Sequence, residues 1–249
     1  METLRERYES IAVAVFAESI QLKQAVLRAA AGLMVDMADL IARAFRGHHR
    51  LFLFGNGGSA ADAQHLAAEF VNRFQRERYP LPALSLTVDT SILTSISNDY
   101  SFNDVFLKQL QALGQPGDVA LGISTSGSSP NVVDGLKWAR QNGLHTIGWA
   151  GATLGEMDTY SDLILHVPSK TTARIQECHI TVGHVLCGLV DEILFGESEK
   201  KTASRVALSS MMPKGMREKI ATNIDRAKAS APAPTETRTP ASADPIPPI

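Results

Sequence analysis

Five short apolar runs, at residues 51–54, 83–88, 119–123, 145–149 and 163–167, alternate with longer stretches whose apolar residues recur at helical spacing. That alternation constrains the fold more than any other feature of the chain. The runs are rich in Leu, Val, Ile and Phe, the composition of strands buried on both faces of a sheet. The helical patterns between them lie near 59–73, 103–113 and 130–142. Strands joined through helices run parallel, and such crossovers are right-handed. The spacing therefore predicts an α/β fold, a doubly wound, flavodoxin-like sandwich around a parallel five-stranded sheet.

A last helix is expected over 172–195. Ahead of the sheet, residues 3–47 read as two helices, with apolar positions at Ile11, Val15, Ile20, Leu22 and Val26, then at Leu33, Met37, Leu40 and Ile41. Three regions follow: a helical lead-in over 1–48 packed on the core, the α/β core over 49–198, and a C-terminal extension over 199–249. From Ala229 onward the extension is built of Ala, Pro, Thr and Ser with almost no large apolar side chain. Such a stretch cannot offset its ordering entropy by burial, so disorder is expected there. A short helix is expected around 214–228. There is no internal repeat.

Of the 249 residues, 44% are hydrophobic and 20% charged, as in a globular protein, and the net charge of −2 gives no general attraction to nucleic acid or an anionic membrane. No apolar run reads as long enough to span a bilayer. The apolar stretch 11–17 is short, follows Glu2, Glu6 and Glu9, and continues as a helix, so it reads as helix and not as a signal peptide. The two cysteines, Cys178 and Cys187, fall about 13 Å apart along one helix, too far for a disulfide. Reduced thiols fit a cytoplasmic protein.

Two strand-to-helix junctions carry the chemistry. The turn Gly55-Asn56-Gly57-Gly58-Ser59-Ala60 follows the first strand. As G-x-G-x-x-A it matches a loose dinucleotide fingerprint, but the next acidic residue at a strand end, Asp89, lies well beyond the usual ~20 residues. It also suits a turn presenting backbone N–H groups to an anion at a helix N-terminus, or a tight turn and nothing more. The second junction, Ser124-Thr125-Ser126-Gly127-Ser128-Ser129, offers a row of hydroxyls before a helix opened by Pro130, with Ser129 suited to the N-cap. At the carboxyl edge of a parallel strand, hydroxyls and helix N–H groups suit a phosphate that is held and not transferred. His65 and Glu69 stand one helical turn apart on one face. Gln176 and His184 lie on the last helix, eight residues and about 12 Å apart, which favours a site at a subunit interface. His48 and His49 are given no role, and His145, His166 and His179 are expected to satisfy local structure.

The segments GNGGSAADAQHLAAEF, SNDYSFNDVF, PGDVALGISTSGSSPNVV and ARIQECHITVGHVL are long, ordered and correctly spaced. Over residues 50–195 the chain resembles the phosphoheptose isomerase family, within the sugar-isomerase (SIS) domain group. Ser128 stands where relatives often have asparagine. The resemblance implies sugar-phosphate binding by Asn56, Gly57, Gly58, Glu69, Asn98, Asp99, Ser124, Thr125, Ser126, Ser129 and Gln176. It implies one zinc ion per subunit held by His65, Glu69, Gln176 and His184, with Glu69 and His184 as the acid–base pair. It further implies conversion of sedoheptulose 7-phosphate to a heptose 7-phosphate aldose in a cytoplasmic homotetramer, feeding bacterial surface-heptose synthesis. Two other readings are a non-catalytic SIS-domain protein that binds the replication initiator DnaA, and a sugar-phosphate-sensing regulator. The first is expected to lack the glutamate or the second histidine, both kept here. The second is expected to carry a DNA-binding segment, and no helix-turn-helix is apparent.

Overall fold

Strands β1 (Leu51–Gly55), β2 (Ala83–Ser85), β3 (Val119–Ile123), β4 (His145–Ala150) and β5 (Leu163–His166) pair in parallel in the order β2-β1-β3-β4-β5. The computed structural model describes residues 3–196, so the expectations for the C-terminal extension and its short helix lie outside the described residues. In the sheet Leu51 stands beside Ala83 on one side and Val119 on the other, Val119 pairs with His145, and Ile147 with Leu163. All residues of β1 and β3 are buried, which is why these central strands are continuous apolar runs. Successive side chains point to opposite faces. Leu51, Leu53, Val119, Leu121, Ile147 and Trp149 face α1 (Leu4–Arg46), α2 (Gly58–Val71) and α7 (Thr172–Phe195). Phe52, Phe54 and Ala120 face the other layer, where α4 (Val105–Leu113) and α5 (Pro130–Gln141) supply Phe106, Leu110, Val132 and Leu136. Each fully buried Leu or Phe contributes roughly 1.5–3 kcal/mol, so these two layers dominate stability.

The lead-in differs from expectation. Residues 4–46 form one helix of 43 residues, not two. It begins at a capping box in which the Thr3 hydroxyl accepts from the Glu6 N–H and the Glu6 carboxylate accepts from the Thr3 N–H. No proline interrupts it, and Gly32 sits in an Ala-rich stretch that favours helix. Its C-terminal half packs on α7 through Met34, Met37 and Ile41. Its N-terminal half leaves Tyr8, Ile11, Val13 and Phe16 exposed. The packing of the lead-in on the core therefore holds for only part of its length.

Two helices were not expected: α3 (Thr90–Asp99), capped by the Asp89 carboxylate on the Ile92 N–H at 2.9 Å, and the short α6 (Glu156–Tyr160). The second strand ends at Ser85, short of the predicted residue 88, because the chain turns at residues 86–87. The expected helix 103–113 is a 3-10 turn, Phe102–Asp104, leading into α4. The expectation that no apolar run could span a bilayer fails at α7: its 24 residues, with a window of mean hydropathy 1.4, pass by length and composition. In this fold α7 is a core helix, placing Val182, Leu186 and Val190 against α1, α2 and the sheet. Cys178 and Cys187 are buried and free, as expected.

Candidate active site

The strand order reverses direction between β1 and β3, and the two glycine- and serine-rich junctions leave the carboxyl ends of those two strands. Ligands of open α/β sheets bind at such a switch point. Gly57 caps α2 with φ +56, a region glycine enters without strain. At Gly58 a Cβ would fall 2.5 Å from Gln176 Nε2, so only glycine leaves room for the α7 amide against the start of α2. Asn56 is held across the switch by Asn131, the second residue of α5. Each amide donates to the other's carbonyl oxygen at 2.9 Å. Sequence reading missed Asn131, which is separated from Asn56 by 75 residues and carries no motif signal of its own.

The hydroxyl row closes into a cluster. Ser124 Oγ lies 2.8 Å from Ser129 Oγ and 3.2 Å from Ser126 Oγ, and the Ser128 hydroxyl donates to Ser126 Oγ at 3.2 Å. Gly127, at φ +71, turns the loop. Ser129 occupies the N-cap position of α5, but its side chain caps no helix N–H and turns to Ser124 instead. Pro130 has no N–H and the Val132 N–H donates to the Ser129 carbonyl at 3.0 Å, so in the first turn of α5 the Asn131 N–H is the one left for an incoming anion. No lysine or arginine stands in the loop; Thr125 fixes its base by accepting from the Gly151 N–H at 3.1 Å.

Helices α2 and α7 run side by side in the same direction. Gln176 meets Gly58, Gly183 lies against Leu66, and His184 meets His65. His65 Nε2 and His184 Nε2 are 2.9 Å apart, and Glu69 Oε1 is 3.5 Å from His65 Nε2. The two rings share one hydrogen bond only if one Nε2 carries the proton and the other accepts. The expected quartet is thus split in space. His65, Glu69 and His184 are neighbours, while Gln176 stands at the glycine turn. Among the described residues no three His, Cys, Asp or Glu side chains form a ready-made metal cluster. The donor set nonetheless suits zinc. Two facing imidazole nitrogens would need to open only a few tenths of an ångström to reach the ~3.3 Å that tetrahedral Zn–N bonds imply, with a carboxylate alongside.

Asp62, one turn before His65, was also missed. Burial pushes its carboxyl up to about 6, against a lowering by His65, and its Oδ2 has no hydrogen-bond partner. Burial pushes the Cys187 thiol up to about 12, with Glu69 and Asp191 adding to the rise. Asn98 and Asp99 stand exposed at the end of α3, the Asn98 amide donating to Asp99 Oδ1 at 2.8 Å. No hydrogen bond joins them to the other named residues among those described. Two of the remaining histidines, His166 and His179, satisfy local structure as expected. His166 bridges Asp158 and the Gly151 carbonyl, and His179 lies against the Ala150 carbonyl, its pKa lowered to about 4 by burial.

The family model for the SIS domain matches residues 15–151. A phosphoheptose isomerase from Roseiflexus sp. (strain RS-1) is 53% identical over 179 residues, covering 72% of this chain and 91% of its own length. One from Aquifex aeolicus (strain VF5) is 53% identical over 180 residues, 72% of this chain and 94% of that protein. Among solved structures, phosphoheptose isomerase GmhA from Neisseria gonorrhoeae superposes with a TM-score of 0.70 at 43% identity, covering 76% of this chain and all of that one. With a sheet, a switch-point site and relatives of this closeness in agreement, the chain belongs to the phosphoheptose isomerase family of SIS-domain proteins.

Proposed function

We propose that this protein is an aldose–ketose isomerase that converts sedoheptulose 7-phosphate to D-glycero-D-manno-heptose 7-phosphate, with Glu69 and His184 as its acid–base pair. The observation that carries the reading is the meeting of His65, Glu69 and His184 on paired helices, the first of which, α2, opens at the switch point. The phosphate is held by Ser124, Ser126 and Ser129 and by the Asn131 N–H at the start of α5, with Thr125 shaping the loop. Asn56, Gly57, Gly58 and Gln176 line the sugar between the cradle and the two helices. Asn98 and Asp99, exposed on α3, complete the binding set.

The chemistry moves one proton between carbons and one between oxygens. Glu69 takes a proton from C1 of the ketose while the carbonyl oxygen at C2 gains one from His184, leaving an enediol. His184 then takes the proton from the C1 hydroxyl, and Glu69 returns its proton to C2, leaving the aldehyde at C1. A positioned carboxylate and imidazole suit this shared work. His65, Glu69 and His184 would hold zinc, which when bound supplies Lewis-acid polarisation of the carbonyl, while Gln176, expected as a fourth ligand, stands apart at the glycine turn. A carboxylate engaged with metal would be a weaker base, so Glu69 would act as the base only when free of it.

We also infer a homotetramer. The N-terminal half of α1 exposes Tyr8, Ile11, Val13 and Phe16, and an apolar cavity of about 450 Å³ lies between α1 and α7, lined by Val26, Leu27, Met34 and Val182 among others. A second copy's helix is the occupant these surfaces suit. A coupled assay with sedoheptulose 7-phosphate on zinc-supplied protein tests the activity. Turnover is expected; its absence, with ligand still bound, would favour a binding protein.

A further inference from the structure

The loop between α2 and β2, residues 72–82, touches both helices of the site. Arg78 within it is buried, with 2% of its side chain exposed, and so is its partner Asp191 on α7, with 5%. Arg78 Nε donates to Asp191 Oδ1 at 2.9 Å. Its Nη2 donates to the Glu69 carbonyl at 2.9 Å, and its Nη1 to the carbonyls of Phe70 at 2.7 Å and of Asn72 and Tyr79 at 3.2 Å. The carbonyls of Glu69 and Phe70 belong to the last turn of α2, where a helix has no partners of its own. Asp191 lies two turns beyond His184 on the same face of α7. One guanidinium therefore ties the end of the helix that carries Glu69 to the helix that carries His184. Four residues earlier, the Phe74 ring stacks on the His184 imidazole, with centroids 5.6 Å apart and planes 17° apart.

A buried ion pair contributes little net stability compared with an apolar contact of the same size. A planar fork of five donors supplies something that contact cannot, a fixed direction. We propose that Arg78, locked to Asp191, is a positioning residue that sets the spacing of Glu69 from His184. The proposal rests on the reading of those two as the acid–base pair. A shift of about 1 Å between reacting groups can lower turnover by up to ~10²-fold, and residues that orient metal ligands change metal affinity by ~10- to 100-fold.

Two variants test it. Arg78→Lys keeps the charge opposite Asp191 but loses the fork. The double variant Arg78→Met, Asp191→Leu removes both charges and leaves none buried alone. For each, kcat and KM for sedoheptulose 7-phosphate are measured, with the zinc dissociation constant by chelator competition and the Tm. In both, kcat is expected to fall about tenfold or more and zinc affinity about tenfold, while KM stays within about twofold because the serine cradle on β3 is untouched. Folded variants with lower Tm but wild-type kcat and zinc affinity would overturn the proposal and leave Arg78 a structural residue. Should the double variant not fold, Arg78→Lys decides by the same outcomes. Failure of the underlying reading shows elsewhere. If Glu69→Gln turns over at the wild-type rate, the acid–base assignment falls and the proposal with it. Glu69→Gln inactive with Arg78→Lys unaffected overturns the proposal alone.

Discussion

Replacing Gly58 by alanine should separate binding from stability. The new Cβ would come 2.5 Å from Gln176 Nε2 and 2.8 Å from its Cδ and Oε1. All three atoms are the far end of a flexible side chain, so the amide must swing away while the backbone stays. Gly58 opens α2 and does not need a positive φ. Alanine in a helix gains roughly 0.5–1 kcal/mol over glycine. Swinging the Gln176 side chain away from its preferred rotamer costs roughly 0.5–1.5 kcal/mol. The two nearly cancel, and Tm should stay within about 2–4 °C of wild type. Function should not cancel. Loss of one neutral hydrogen bond to the sugar raises KM about fivefold, while zinc affinity should hold, because Gln176 stands apart from His65, Glu69 and His184. Gly57→Ala is the control: φ +56 strains any other residue by roughly 1–3 kcal/mol, yet a Cβ there meets nothing within 4 Å. Its Tm should fall by that strain while zinc affinity holds. Steady-state kinetics, chelator competition and thermal melts on both variants check this. A Gly58→Ala protein with wild-type KM would refute a role for Gln176 in the site.

Ser124→Ala with Ser126→Ala removes two hydroxyls of the cradle, each worth on the order of 1 kcal/mol, so KM should rise roughly tenfold or more with the fold intact by circular dichroism. Unchanged binding of the phosphorylated sugar would misplace the phosphate. Phe16→Asp, at a position 71% exposed on α1, should dissociate the tetramer in light scattering at micromolar concentration; a monomeric wild type would contradict the shared assembly. Asp62 has a folded carboxyl at about 6 against an ordinary 3.8. Its neutral form is favoured in the fold, so its contribution to stability is fully present below pH 3.8 and lost as pH rises through 6. The unscreened span, about 3 kcal/mol, shrinks to on the order of 1 kcal/mol for a half-buried group. Asp62→Asn in chelator-treated protein should therefore raise Tm by about 2–4 °C at pH 8 and not at pH 4; equal shifts at both would refute the titration.

The strands were legible because β1 and β3 are buried on both faces, which writes burial directly into sequence as an unbroken apolar run. The helix α3 was not. Its sequence TSILTSISND is rich in Ser, Thr and Ile, poor helix formers alone, and it is set by the Asp89 cap and by packing of Leu93 and Ile96 on the sheet layer below. The long α1 was split in reading because its apolar positions drift out of one stripe. The drift reflects a change of surroundings along one helix, from core-facing Met37 and Ile41 to the exposed Ile11 and Phe16. Within the site, His65, Glu69 and the serine row could be found because each sits in a local motif. Asn131 and Arg78 act only through partners far along the chain, Asn56 and Asp191, and no local pattern marks such pairs. The 12 Å between Gln176 and His184 was a real signal. It is met by α7 running beside α2, so that each residue meets a different turn of it.

Glu69→Gln tests the central claim most directly, because it keeps size and one ligand oxygen while removing the base. Sedoheptulose 7-phosphate is incubated in D₂O with wild-type and variant protein, and deuterium at C1 and C2 is followed by NMR alongside isomerisation. Wild type should exchange and isomerise. Glu69→Gln should bind the sugar phosphate with near wild-type affinity, show no exchange, and isomerise at least ~10²-fold more slowly, the scale of a positioned acid or base. Exchange and turnover at wild-type rates in Glu69→Gln would show that another group removes the carbon-bound proton.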